Sequence, residues 1–115
     1  MPALHHPERS KIALSSVLDA LSDPTRLAII LDIAQSEAPE ARCQSFLPLG
    51  SKTNLAYHFA KLRTAGVVQV RQEGTARYLS LRRADLDSRF PGLLDSIIAA
   101  ARRPQRAAPR RRVRS

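Results

Sequence analysis

Ser51-Lys52-Thr53-Asn54-Leu55-Ala56-Tyr57-His58-Phe59-Ala60-Lys61-Leu62-Arg63-Thr64-Ala65-Gly66 organises the reading of this 115-residue chain. Ser51 offers a side-chain oxygen to the unpaired N–H groups of a helix start, and Gly66 stands just past the last residue able to continue that helix. At about 100° per residue, Leu55, Phe59 and Leu62 share one face and must turn to a core. The opposite face carries Thr53, Asn54, Ala56, Tyr57, Ala60 and Lys61, all small or hydrogen-bonding. A helix reaching Ala65 therefore has a polar face whose hydrogen-bonding groups crowd its N-terminal half.

On the C-terminal side, Val67 to Arg71 and Ala76 to Leu81 are two β-prone runs around Gln72-Glu73-Gly74-Thr75, with Gly74 supplying the permissive backbone of a tight hairpin. Val68, Val70, Leu79 and Leu81 are expected to alternate inward, which leaves Arg71 and Arg77 near the tip. Asp85 and Asp87 belong to a turn or short helix. Pro91 starts a last helix with Leu93, Leu94, Ile97, Ile98 and Ala101 as its apolar stripe.

On the N-terminal side, Ser22-Asp23-Pro24 sets a capping side chain before a proline at the first helical position, where a missing N–H costs nothing. That helix is predicted to reach about Gln35, with Leu27, Ile30, Leu31 and Ala34 inward. Before it, Ile12, Leu14, Val17, Leu18 and Leu21 predict a first helix over 9–21. Between residues 40 and 50, Ala41, Cys43, Phe46, Leu47 and Leu49 support a short third helix closed by Pro48 and Gly50. The order is helix, helix, short helix, helix, β-hairpin, helix. It predicts an α+β, mainly helical winged helix-turn-helix (α-α-α-α-β-β-α), a class whose second motif helix enters the DNA major groove.

Charge supports a polyanionic partner and says where it would bind. Lys and Arg number 19 against 10 Asp and Glu, for a net charge of +9. Residues 51–83 hold seven cations and one acid, residues 102–115 hold seven arginines and no acid, and the remainder is acidic on balance. The expected organisation is a flexible N-terminal arm (1–8), one domain (9–101) and a disordered Arg-rich tail (102–115), because the tail has too little apolar surface to offset ordering entropy. The tail reads equally as a solubilising extension or as an aid to nucleic-acid binding that ignores sequence.

Aromatic residues make up 4% of the chain, too few for a single-strand binder that works by base stacking. One cysteine, Cys43, excludes an intramolecular disulfide and a Cys-only zinc site within one chain. Neither a signal peptide nor a membrane span is expected, and a cytoplasmic, bacterial, nucleoid-associated location fits. An enzyme is not expected: no nucleophile, base and orienter set is visible, nor any phosphate-cradling glycine loop.

The sequence resembles the ArsR/SmtB family of small winged-helix transcription regulators. The residues that carry the likeness are Leu21-Ser22-Asp23-Pro24-Thr25-Arg26-Leu27, Ser51 to Phe59 continuing through Leu62-Arg63-Thr64-Ala65-Gly66-Val67-Val68, and the wing Arg71-Gln72-Glu73-Gly74-Thr75-Ala76-Arg77-Tyr78. They cover about residues 9–101 in the family's order and spacing. The resemblance implies a symmetric homodimer with the first and last helices at its interface, a DNA-reading helix at 51–65, and an inverted-repeat operator in double-stranded DNA. The apolar stripes of helices 9–21 and 91–102 agree, since they exceed what so small a domain can bury alone.

On that basis Lys52, Thr53, Asn54, Tyr57 and Lys61 are the candidates for the major groove and its flanking phosphates, and Arg71, Gln72 and Arg77 for the wing contacts. Asn54 is the candidate reader of adenine, because its amide matches the N6 and N7 edge. The competing account of each residue is an ordinary solvated surface. Family members commonly sense a transition metal, but the third-helix Cys-x-Cys-like pair is reduced here to Cys43, and residues 91–103 contain Asp95 without histidine. No cofactor is therefore expected. A cross-protomer metal site from His5, His6 and Cys43 is weighed against a buried thiol and a frayed terminus. His58 has no ligand partner at suitable spacing and is expected to support the helix or touch phosphate. The remaining alternatives are a general nucleic-acid packaging protein driven by the tail, and a DNA-binding subunit whose signal arrives from a separate metal-binding sensor protein.

Overall fold

Asp23 caps a helix as its place before Pro24 predicts: its carboxylate accepts the backbone N–H groups of Thr25 at 2.9 Å and Arg26 at 3.1 Å. In the computed structural model, which describes residues 4–102, this helix is α2 (Pro24–Gln35). A 3-10 turn at Arg9–Lys11 and α1 (Leu14–Ala20) precede it. After it come β1 (Ala41–Arg42), a 3-10 helix at Cys43–Leu49, α3 (Lys52–Thr64), β2 (Val68–Glu73), β3 (Ala76–Leu81), α4 (Arg83–Arg89) and α5 (Leu93–Arg102). The architecture is a winged helix-turn-helix, with a three-stranded antiparallel sheet ordered β1-β3-β2.

Gly66 ends α3 in the way its sequence position predicts. It adopts φ 87°, its N–H donates to the Arg63 carbonyl, and the next N–H, Val67, donates to that of Leu62. These two bonds satisfy carbonyls that the helix end leaves open. They also turn the chain directly into β2. Val67, Val68 and Leu79 are fully buried, and Val70 nearly so, while Leu81 is only partly covered. The hairpin turns over Gly74 and Thr75, since Glu73 pairs with Ala76.

The helix expected over 9–21 is broken. Ile12 and Ala13 are extended, and the α-helix begins only at Leu14. The cause is a long-range contact: Ile12 is buried against Gly66, where an added Cβ would lie 2.6 Å from Ile12 Cγ1. Val17, Ala20 and Leu21 face inward as well, but Leu14 and Leu18 are 46% and 45% exposed. The inward face of α2 also differs from the expected one. Arg26, Ile29, Ile30 and Ile33 are buried, whereas Leu27, Leu31 and Ala34 pack at its edge.

Three local differences complete the comparison. The short third helix is a 3-10 helix with Pro48 inside it, where the missing N–H leaves one helical bond unmade. Residues 41–42 add a strand that periodicity does not announce, with Ala41 opposite Leu79 and Arg42 opposite Tyr78. Asp85 and Asp87 lie in a true helix, α4, and the last helix starts at Leu93 rather than Pro91.

Part of the segment assigned to an N-terminal arm is hydrogen-bonded to the domain. The carbonyls of His5 and Pro7 accept from Arg63 at 2.6 Å and Arg82 at 2.7 Å, and His6 Nε2 accepts the Val70 N–H at 3.0 Å. Of the segment read as a tail, Arg102 closes α5 and the rest, 103–115, lies outside the described residues. No described helix is long and apolar enough to cross a membrane.

Candidate nucleic-acid interface

The base of α3 is held in place by a polar contact that apolar periodicity does not reveal. Arg26 is 7% exposed; its Nε donates to the Ala20 carbonyl at 2.5 Å, and its Nη1 lies 3.0 Å from His58 Nδ1. A guanidinium only donates, so Nδ1 accepts. This buried side chain joins the end of α1, the start of α2 and the middle of α3. His58 is 6% exposed, which makes it a structural partner of Arg26 and not a surface contact. Arg26 belongs to the Asp-Pro-Thr-Arg opening, whose Asp23 carboxyl is held below the usual carboxylate range, first by the Arg26 backbone N–H.

Above that base, Ser51 Oγ accepts the Asn54 N–H at 3.1 Å and fixes the start of α3. Lys52, Thr53, Asn54 and Tyr57 are all exposed on the first two turns, and Tyr57 shows 57% of its surface. The same turns carry the positive end of the helix dipole, so hydrogen-bonding side chains and a favourable field for anions coincide. Lys61 lies farther along, half-buried and 3.4 Å from Asp19.

The wing separates two arginines that look equivalent in the sequence. Arg71 is paired through all three of its nitrogens: it donates twice to Glu40, both at 2.9 Å, and once to Glu73 at 2.7 Å, while its guanidinium lies 4.5 Å from the centre of the Tyr78 ring. Those hydrogen bonds hold Arg71 firmly protonated and keep the Glu40 carboxyl below its ordinary range. Gln72 spends its amide on the Gly74 carbonyl at 3.4 Å. Arg77 pairs across from Gln72, is exposed, and makes no hydrogen bond or ion pair among the described residues.

Between α3, the wing and the 3-10 helix lies a groove of about 530 Å³. Lys52, Arg77, Arg42 and Arg63 line it, together with apolar atoms, and among the described residues no carboxylate does. Arg42 and Arg63 are missing from the sequence-derived set. Arg63 was legible, because helical spacing puts it on the flank of Lys52 and Ala56. Arg42 was not, because only the pairing of β1 with β3 brings it beside the wing.

Within one chain, His6 and Cys43 are not arranged as metal ligands. Among the described residues no group of three or more His, Cys, Asp or Glu side chains is placed to hold an ion. His6 already accepts a backbone N–H, and burial pushes the Cys43 thiol above its ordinary pKa, against the thiolate a metal requires. Asp95, the carboxylate of α5, is ion-paired with Arg83 at 2.7 Å.

No protein-family model matches the chain. It is 34% identical over 88 residues to the uncharacterized HTH-type transcriptional regulator YceK of Bacillus subtilis (strain 168), a match covering 72% of this chain and 84% of that protein. The crystal structure of an ArsR family transcriptional regulator superposes with a TM-score of 0.59 at 16% identity, over 87% of this chain and all of the other.

Proposed function

The chain belongs to the HTH-type transcriptional regulators and has the winged fold of their ArsR family, and from that premise we propose a sequence-specific regulator that binds an inverted-repeat operator as a homodimer. One observation carries the reading: the capped N-terminal half of α3 presents Lys52, Thr53, Asn54 and Tyr57 together in solvent, beside a wing whose Arg77 is unpaired among the described residues. Asn54 reads a base edge, Lys52 and Arg77 hold phosphates, and the buried Arg26–His58 contact sets the angle at which α3 is presented. The exposed Leu14 and Leu18 of α1, with the partly buried Leu93 and Ile97 of α5, supply the dimer contact, since Leu94 and Ile98 are already buried within the protomer. The two copies of α3 then stand about one DNA turn apart, roughly 34 Å.

The test begins with selection of bound duplexes from a random library, followed by titration of the selected and a scrambled duplex at one salt concentration. Replacing Asn54 by Ala relaxes preference by about 1–3 kcal/mol at one position of each half-site and leaves scrambled DNA unaffected. Equal losses on both duplexes would remove Asn54 from base reading. Failure to select any sequence would favour general nucleic-acid binding.

A further inference from the structure

The groove between α3 and the wing has features that a DNA-contacting surface does not need. Its volume of about 530 Å³ falls within the roughly 300–1,000 Å³ of small-molecule sites. Its lining is mixed, with Leu47, Leu55, Phe59 and Val70 among the residues that supply its apolar part. Lys52, Arg77, Arg42 and Arg63 line the same space. Arg63 spends one nitrogen on the His5 carbonyl and Arg42 lies 5.9 Å from the centre of the Tyr78 ring, but neither faces a carboxylate ion partner among the described residues. A groove with an apolar part, several cations and no acid among the described residues favours a ligand that is apolar along its body and anionic at one end.

We propose that this groove binds an apolar organic anion of the fatty-carboxylate type, and that the bound anion competes with DNA. The competition rests on the DNA-binding reading above; the site does not. Lys52 and Arg77 belong both to the groove and to the candidate phosphate contacts, so a ligand carboxylate among them removes cations from the DNA face. Its hydrocarbon body lies between the recognition helix and the wing, where it opposes their joint approach to the duplex. The signal thereby enters at the reading surface itself.

The experiment uses the isotope-labelled full chain, with octanoate as probe and 1-octanol as its neutral counterpart. Octanoate is expected to shift the amides of Ala56, Ala60, Val70 and Ala76 saturably, and to bind about tenfold more tightly than octanol. Arg42→Gln weakens octanoate about fivefold while leaving octanol unchanged. Saturating octanoate, but not octanol, raises the Kd of the selected duplex about tenfold. Equal affinity for the two probes, shifts scattered outside the groove, or an unaltered duplex Kd at saturation would each overturn the proposal. Absence of any preferred duplex without octanoate would sink the regulator reading instead, and the amide titration would still decide whether the anion site exists.

Discussion

Arg71 and Arg77 sit on adjacent strands of one hairpin with the same formal charge, yet among the described residues only Arg77 is without a carboxylate partner. Arg71 has two carboxylate partners and a ring beneath it, so its charge is already offset, and a phosphate approaching its remaining N–H groups would meet both carboxylates. Arg77 has nothing to give up among the described residues. Arg77→Gln should therefore weaken binding to all duplexes alike and reduce the slope of log K against log salt by about 1.8 on the inverted repeat, one phosphate contact from each protomer of the proposed dimer. Arg71→Gln should leave that slope unchanged and instead loosen the wing from Glu40. Salt titrations of both variants on one duplex distinguish them, and an equal loss of slope would show that Arg71 changes partners on DNA. Formal charge was legible in the sequence, whereas the fraction of it left for a ligand was not, because Glu40 lies 31 positions from Arg71 and meets it only in the fold.

At the scale of elements, the start and end of α3 were the most legible features and its support the least. Ser51 and Gly66 act through bonds to residues within five positions, which is why their chemistry can be read locally. Gly66→Ala combines a left-handed backbone with a Cβ placed 2.6 Å from Ile12, and should cost about 2 kcal/mol or more in a urea titration. A cost of a few tenths would show that the segment around Ile12 moves freely aside. His6 offers a pH-dependent test of the N-terminal contact. Burial, opposed by a backbone bond from Leu4 and aided by Arg63 and Arg82, holds its pKa below the ordinary 6.5, so the fold favours the neutral ring that accepts the Val70 N–H. A lowered histidine pKa means that this stabilisation is complete above about pH 6.5 and is lost as the pH falls through the folded-state value. The stability gap between the natural chain and His6→Ala should be about 1 kcal/mol at pH 7.5 and shrink toward pH 5.5. A gap independent of pH would mean that the bond contributes nothing.

At the scale of the whole molecule, α1 is the element whose exposed surface calls for a partner. Leu14 and Leu18 lie on a seven-residue helix that already buries Val17 and Ala20, so the solvent-facing leucines are left over after the domain has closed its core. Leu18→Glu should shift sedimentation from the proposed dimer to monomer while the far-ultraviolet circular dichroism is retained. It should also weaken the selected inverted repeat more than an isolated half-site, because the second recognition helix is lost. An unchanged dimer would move the interface to α5 alone.

Fold class, the order of the main helices and the hairpin, the two caps, the glycine stop and the polar face of α3 were determined by the sequence by itself. Each rests on helical or strand periodicity or on a bond spanning a few residues, and such signals survive without knowledge of the fold. Tertiary structure alone decided that Arg26 points inward to His58, that Ile12 breaks the first helix by reaching Gly66, and that residues 41–42 join the sheet. It also decided which cations are already paired, and so where the positive charge remains available. These outcomes depend on residues tens of positions apart, whose competition for burial and hydrogen bonds is settled only when the chain closes.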